Sequence, residues 1–83
     1  MSLLGEILVV DDERTVRSAF KSLFEAEGYS VTLAKDGEEA VKIFSDRRPS
    51  LVLMDIMMPK KNGVAAASEI RAIDPLVPIL AFT

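Results

Sequence analysis

The stretch Leu51-Val52-Leu53-Met54-Asp55 constrains this chain most. Four apolar residues run without interruption into one carboxylate, and Ile56-Met57-Met58-Pro59 then turns the chain away. An unbroken apolar run of this length between turn signals reads as a strand buried on both faces. Ile7-Leu8-Val9-Val10 repeats the pattern and ends in Asp11-Asp12-Glu13. Acids therefore stand at the carboxyl ends of two central strands, the edge at which open α/β sheets bind ligands. A strand-end Asp also serves simply to bond the following turn, so the position alone does not define a site.

The rest of the chain supplies the architecture. From Arg14 the residues Val16, Ala19, Phe20, Leu23 and Phe24 recur at helical spacing, with Arg17, Lys21 and Glu25 outside, and Gly28 closes the helix. Ser30-Val31-Thr32-Leu33-Ala34 alternates as an edge strand with one wetter face would. Asp36 and Glu39 have the spacing of a capping box; Ala40, Val41, Ile43 and Phe44 form a buried helical face, and Pro49 stops the helix after Arg47 and Arg48. Asn62 and Gly63 punctuate a loop before a third helix from Val64 to about Ile73, with Ala66, Ile70 and Ile73 on one stripe. Pro78 leads a fourth strand that ends at Thr83. Strands alternate strictly with helices, so right-handed crossovers and a parallel sheet follow. At 83 residues, one small domain, residues 1–83, is expected.

Composition narrows the chemistry. There is no histidine and no cysteine, which removes the commonest general base, zinc-type sites, an internal phosphohistidine and any disulfide. The net charge of −3 and the lack of a basic run argue against direct nucleic-acid binding. No stretch is apolar for long enough to cross a bilayer, and a cytoplasmic location is expected. In a parallel sheet Asp11, Asp12, Asp55 and Thr83 all reach one edge, and converging carboxylates repel unless a cation compensates. Magnesium suits such a set because it takes oxygen ligands and needs only one or two carboxylates. Asp12 and Asp55 fit as direct ligands, with Asp11 or Glu13 reaching the metal through water. A carboxylate so neutralised can attack phosphorus and form an aspartyl phosphate. The Thr83 hydroxyl could then bond a phosphoryl oxygen.

These motifs jointly resemble the receiver domain of bacterial two-component response regulators. The matching residues are Ile7 to Glu13, Leu53-Met54-Asp55-Ile56-Met57-Met58-Pro59, Gly63 and Thr83, and Pro59 and Gly63 follow Asp55 at the family's intervals of four and eight residues. The resemblance implies a flavodoxin-like, doubly wound parallel sheet of strand order 2-1-3-4. It implies Asp55 as the phosphoacceptor, with Asp11 and Asp12 holding Mg2+ and the backbone carbonyl of Met57 as a further ligand. Thr83 would bind the phosphoryl group. The donor would be a sensor histidine kinase or a phosphotransfer protein. The domain would be a signalling switch, not an enzyme beyond self-catalysed phosphoryl transfer and autodephosphorylation. An aspartate-nucleophile phosphatase is disfavoured, since Met57 stands where a second acid would be.

The pattern also departs from the family. A full receiver has five strands and five helices, and this sequence reads as one truncated after the fourth strand, without the family's phosphate-binding lysine; Lys60 and Lys61 lie in the loop after Asp55 and are not that residue. Slower or absent phosphoryl transfer is the expected consequence. The fourth strand becomes an apolar edge, and an apolar patch is expected on the first and third strands, covered only by the Arg14–Gly28 helix. A homodimer or domain-swapped assembly through that strand is therefore expected, and a phosphorylation-incompetent dimerisation or interaction module is the alternative function.

Overall fold

The computed structural model describes residues 4–58 and 62–82. The elements run β1 (Glu6–Val10), α1 (Arg14–Ala26), β2 (Ser30–Ala34), α2 (Gly37–Arg47), β3 (Leu51–Asp55), α3 (Gly63–Ile73) and β4 (Ile79–Phe82). All pairings are parallel and the strand order is β2-β1-β3-β4, the flavodoxin-like arrangement expected of this sequence. The four-strand, three-helix pattern and most boundaries follow the apolar runs, because each run is a strand interior and each turn cluster a crossover end.

The two central strands are buried on both faces. Leu8, Val10, Val52 and Met54 face α2 and α3 and join Ala40, Phe44, Ala66 and Ile70 in the larger core. Ile7, Val9 and Leu53 face α1. Helix ends are set by local chemistry. The Asp36 carboxylate accepts from Glu39 N–H at 2.8 Å and caps α2. The Glu39 side chain returns to the N–H of Lys35 at 3.0 Å, one residue before the expected capping-box partner. Gly28, at φ +100°, closes α1: its N–H bonds Glu25 O, and that of Tyr29 bonds Phe24 O, both at 3.1 Å. This is the paired-bond ending of a Schellman motif, and the Tyr29 ring packs edge-on against Phe24 at 6.2 Å.

Three expectations are corrected. The apolar patch on the first and third strands is not open: Ile7, Val9 and Leu53 are buried. Phe20 and Phe24 of α1, stacked at 5.8 Å, reach across that face, and Phe82 of β4 meets Phe20 edge-on at 5.6 Å. Large rings cover area that a helix backbone alone would leave bare. Exposed apolar side chains stand elsewhere, among them Leu23 on the outer flank of α1 at 58% and Leu80 on β4 at 56%, with Leu4, Met57, Val64 and Leu76 in or beside other segments. The Val16-to-Phe24 stripe is accordingly only part-covered, and Ala19 is exposed with Leu23. The expected wetter face of β2 is absent as well: Ser30 to Leu33 are all half-buried, since α1 lies on one face and α2 on the other. Finally, Arg17, expected on the outer surface of α1, is half-buried and bonded to the end of β1, as described below.

Candidate functional site: a carboxylate cluster at the sheet edge

The sheet register creates the site. Val10 of β1 pairs with Met54 of β3, and one residue further along come Asp11 and Asp55. Val10 and Met54 point into the α2/α3 core, so alternation turns the next two side chains toward the α1 side. Asp12 follows at the start of the crossover to α1. Carboxylate oxygens of Asp11, Asp12 and Asp55 all lie within 4.8 Å of one another. Asp11 and Asp55 are buried and Asp12 is exposed, so the cluster meets solvent on the Asp12 side.

Two of these acids are held the same way. Asp11 Oδ1 accepts from Glu13 N–H at 2.8 Å, and Asp55 Oδ1 accepts from Met57 N–H at 2.9 Å. Each carboxylate thus bonds the turn that follows its strand, as a bland turn-forming Asp would, and also belongs to the cluster. The two readings of a strand-end acid hold together in one residue. Electrostatics show the cost. Burial is the largest influence raising the Asp11 pKa above its usual value, and repulsion from Asp55, Asp12 and Glu13 raises it further; the Glu13 N–H acts in the opposite direction.

Around the cluster, Glu13 is the N-cap of α1 but makes no side-chain cap bond. Met57 is exposed, and Met58 is buried in the larger core as a filler. Thr83, Lys60 and Lys61 lie outside the described residues. The sequence reading missed the role of Arg17, and it placed Gly63 by its interval from Asp55 without the physical reason for it. Arg17 Nη1 donates to the backbone carbonyl of Asp11 at 2.8 Å. Its signal was its place on the first turn of a helix, where side chains lean back toward the N-terminus and so toward the strand end. Gly63 opens α3 hard against β3, where a Cβ would sit 2.3 Å from the Asp55 carbonyl oxygen and 2.4 Å from Ile56 Cα. Its N–H bonds Ile56 O at 3.2 Å, and Asn62 caps the helix by accepting from Ala65 N–H at 2.9 Å.

The donor set is made of carboxylate oxygens, two of the three residues buried, which fits a hard divalent cation and not a soft one. A doubly wound parallel sheet with such a cluster at its carboxyl edge defines an α/β domain with an acidic pocket suited to a divalent cation. The chain belongs to the response regulator receiver domain family, whose model matches residues 7–83. It is 42% identical over 77 residues to response regulator MprA of Mycobacterium sp. (strain KMS), an alignment covering 93% of this chain and 34% of that protein. Regulatory protein AtoC of Escherichia coli (strain K12) is 36% identical over 83 residues, covering 100% of this chain and 18% of AtoC. Among solved structures, response regulator TrrA of Thermotoga maritima, crystallised in complex with Mg(2+)-BeF, shares 42% identity at a TM-score of 0.85. That match covers 89% of this chain and 64% of TrrA. The N-terminal domain of a response regulator receiver protein from Methanoculleus marisnigri shares 36% at a TM-score of 0.89, over 96% of this chain and 67% of that one. The chain therefore spans about a third, or less, of the curated relatives it matches. Receiver domains are phosphoacceptor signalling domains of two-component systems that bind Mg2+ at an acidic pocket, and here the acidic cluster is Asp11, Asp12 and Asp55. No helix among the described residues is long and apolar enough to cross a membrane.

Proposed function

We propose that Asp55 accepts a phosphoryl group from the phosphohistidine of a sensor kinase or phosphotransfer protein, and that residues 1–83 act as one phosphorylation-controlled unit in the cytoplasm. A carboxylate oxygen of Asp55 attacks phosphorus. The bond from phosphorus to the donor's imidazole nitrogen breaks, that nitrogen keeps the electron pair, and an acyl phosphate forms on Asp55. Attack of water on the acyl phosphate returns the carboxylate and releases inorganic phosphate. Asp11, Asp12, Asp55 and the Met57 carbonyl would hold Mg2+. The ion supplies positive charge to a phosphoryl group in transfer. The Thr83 hydroxyl donates to a phosphoryl oxygen. The Met57 N–H steadies Asp55 by holding one oxygen, so the other is presented in a fixed direction.

The observation that carries this reading is the convergence of the Asp11, Asp12 and Asp55 carboxylates within 4.8 Å in a chain of this family. That the TrrA relative was crystallised in complex with Mg(2+)-BeF supports the Mg2+ part of this reading. A second reading, an interaction module that self-associates through β4 without phosphoryl chemistry, is favoured by the exposed Leu80 on that edge strand. An intact-mass spectrum after incubation with acetyl phosphate and Mg2+, beside Asp55→Asn, separates the two. The expected result is one phosphoryl group on the wild type and none on the variant. An unmodified wild type would sink the phosphoacceptor reading, and the interaction module would take its place.

A further inference from the structure

Asp11 is fixed at three points. Its N–H donates to Ala34 O at the end of β2, at 3.1 Å. Its Oδ1 takes the Glu13 N–H at 2.8 Å, and its carbonyl takes Arg17 Nη1 at 2.8 Å. The first two bonds follow from the sheet and the turn. The third is a charged side chain reaching back six residues, and it grips the peptide that joins Asp11 to Asp12. That peptide sets how the two carboxylates are aimed relative to each other and to Asp55. Arg17 is half-buried in the first turn of α1, its own N–H bonding Glu13 O at 3.1 Å, so the guanidinium is carried on a regular element.

We infer that Arg17 is a positioning residue of the cation site: it holds the Asp11–Asp12 peptide so that both carboxylates stay directed at one ion. The inference rests on the reading that this cluster binds Mg2+. Two roles for a cation beside an anionic pocket have opposite signs. A guanidinium that acts only through its charge repels Mg2+, and its removal tightens metal binding. One that acts by holding the acid-bearing peptide aids the metal, and its removal weakens binding. Groups that orient metal ligands through a hydrogen bond typically cost about ten-fold or more in affinity when lost. Arg17 acts on backbone between two ligands, so the lower figure applies.

The test is Mg2+ titration of the metal-free chain, followed by backbone amide shifts in heteronuclear NMR spectra, for the wild type, Arg17→Met, Arg17→Lys and Arg47→Gln. Arg47 bonds Glu6 at 2.6 Å at the opposite end of β1, so that variant reports a comparable loss away from the cluster. We expect Arg17→Met to bind Mg2+ about ten-fold more weakly. Arg17→Lys should recover part of the loss, Arg47→Gln should bind as the wild type does, and amide exchange at Glu13 should quicken in Arg17→Met alone. Affinity that is unchanged or tighter in Arg17→Met, in a wild type that binds, overturns the positioning role and leaves the metal reading standing. A wild type with no Mg2+-dependent shifts overturns the metal reading and the positioning role together.

Discussion

Asp11 concentrates the tension of this molecule at the scale of a single residue. It is 5% exposed and faces Asp55 and Asp12, yet its chain neighbours leave it nowhere else to go. Its pKa is raised chiefly by burial and then by repulsion from the neighbouring acids. The folded state therefore holds the Asp11 proton more tightly than the unfolded chain, where the value is 3.8. The stabilising contribution is complete below that value and is lost as pH rises through the raised one, because above it the fold carries a buried, repelled charge. Asp11→Asn keeps the oxygen that Glu13 N–H needs and removes the charge. In metal-free protein at neutral pH it should be more stable to urea than the wild type, with a flatter pH profile. Mg2+ should stabilise the wild type more than the variant. Equal stability of the two across the pH series would show that burial and repulsion at this position are inconsequential.

At the scale of elements, the approach of α3 to β3 sets the site's rear wall. Gly63 permits it, since any side chain there would meet backbone at Asp55 and Ile56, which cannot swing aside as a side-chain tip can. Gly63→Ala should cost about 2–3 kcal/mol in chemical denaturation, the upper range for forced overpacking. It should also displace the Asp55 backbone, seen as shifted Asp55 and Ile56 amide resonances. A loss below about 0.5 kcal/mol with unmoved resonances would mean that α3 withdraws freely. The spacing of Gly63 from Asp55 was legible beforehand as a family interval. The reason for it was not, because a clash between two elements has no local signature. Arg17 shows the same limit: helical periodicity correctly placed it off the apolar stripe, but the carbonyl it meets belongs to another turn.

For the whole molecule, the consequential feature is where apolar surface remains. The rings of Phe20, Phe24 and Phe82 close the face over β1 and β3. Exposed apolar side chains among the described residues include Leu80 on β4 and Leu23 on α1, besides Leu4, Met57, Val64 and Leu76. The proposed homodimer or domain-swapped assembly would draw on this β4 surface. Leu80→Lys places a charge on an exposed position of the edge strand, a common block to edge pairing, and should alter monomer stability by less than about 0.5 kcal/mol. Sedimentation velocity should show the wild type associating and Leu80→Lys as monomer. A wild type that stays monomeric across the concentration range, or a variant that associates equally, would rule out this surface.

The sequence by itself determined the order and type of elements, the parallel sheet, and the arrival of Asp11, Asp12 and Asp55 at one edge. Those follow from local signals: unbroken apolar runs, helical spacing, caps, and acids at strand ends. Only the tertiary structure decided that one oxygen each of Asp11 and Asp55 bonds the following turn, that Arg17 holds the Asp11 carbonyl, that Gly63 packs against the Asp55 backbone, and that aromatic rings close the α1 face. The physical reason is the range of the forces. Periodicity and turn chemistry act within a few residues and can be read along the chain. Ring packing, backbone clashes and a guanidinium's choice of carbonyl depend on distances set only when the sheet has been assembled.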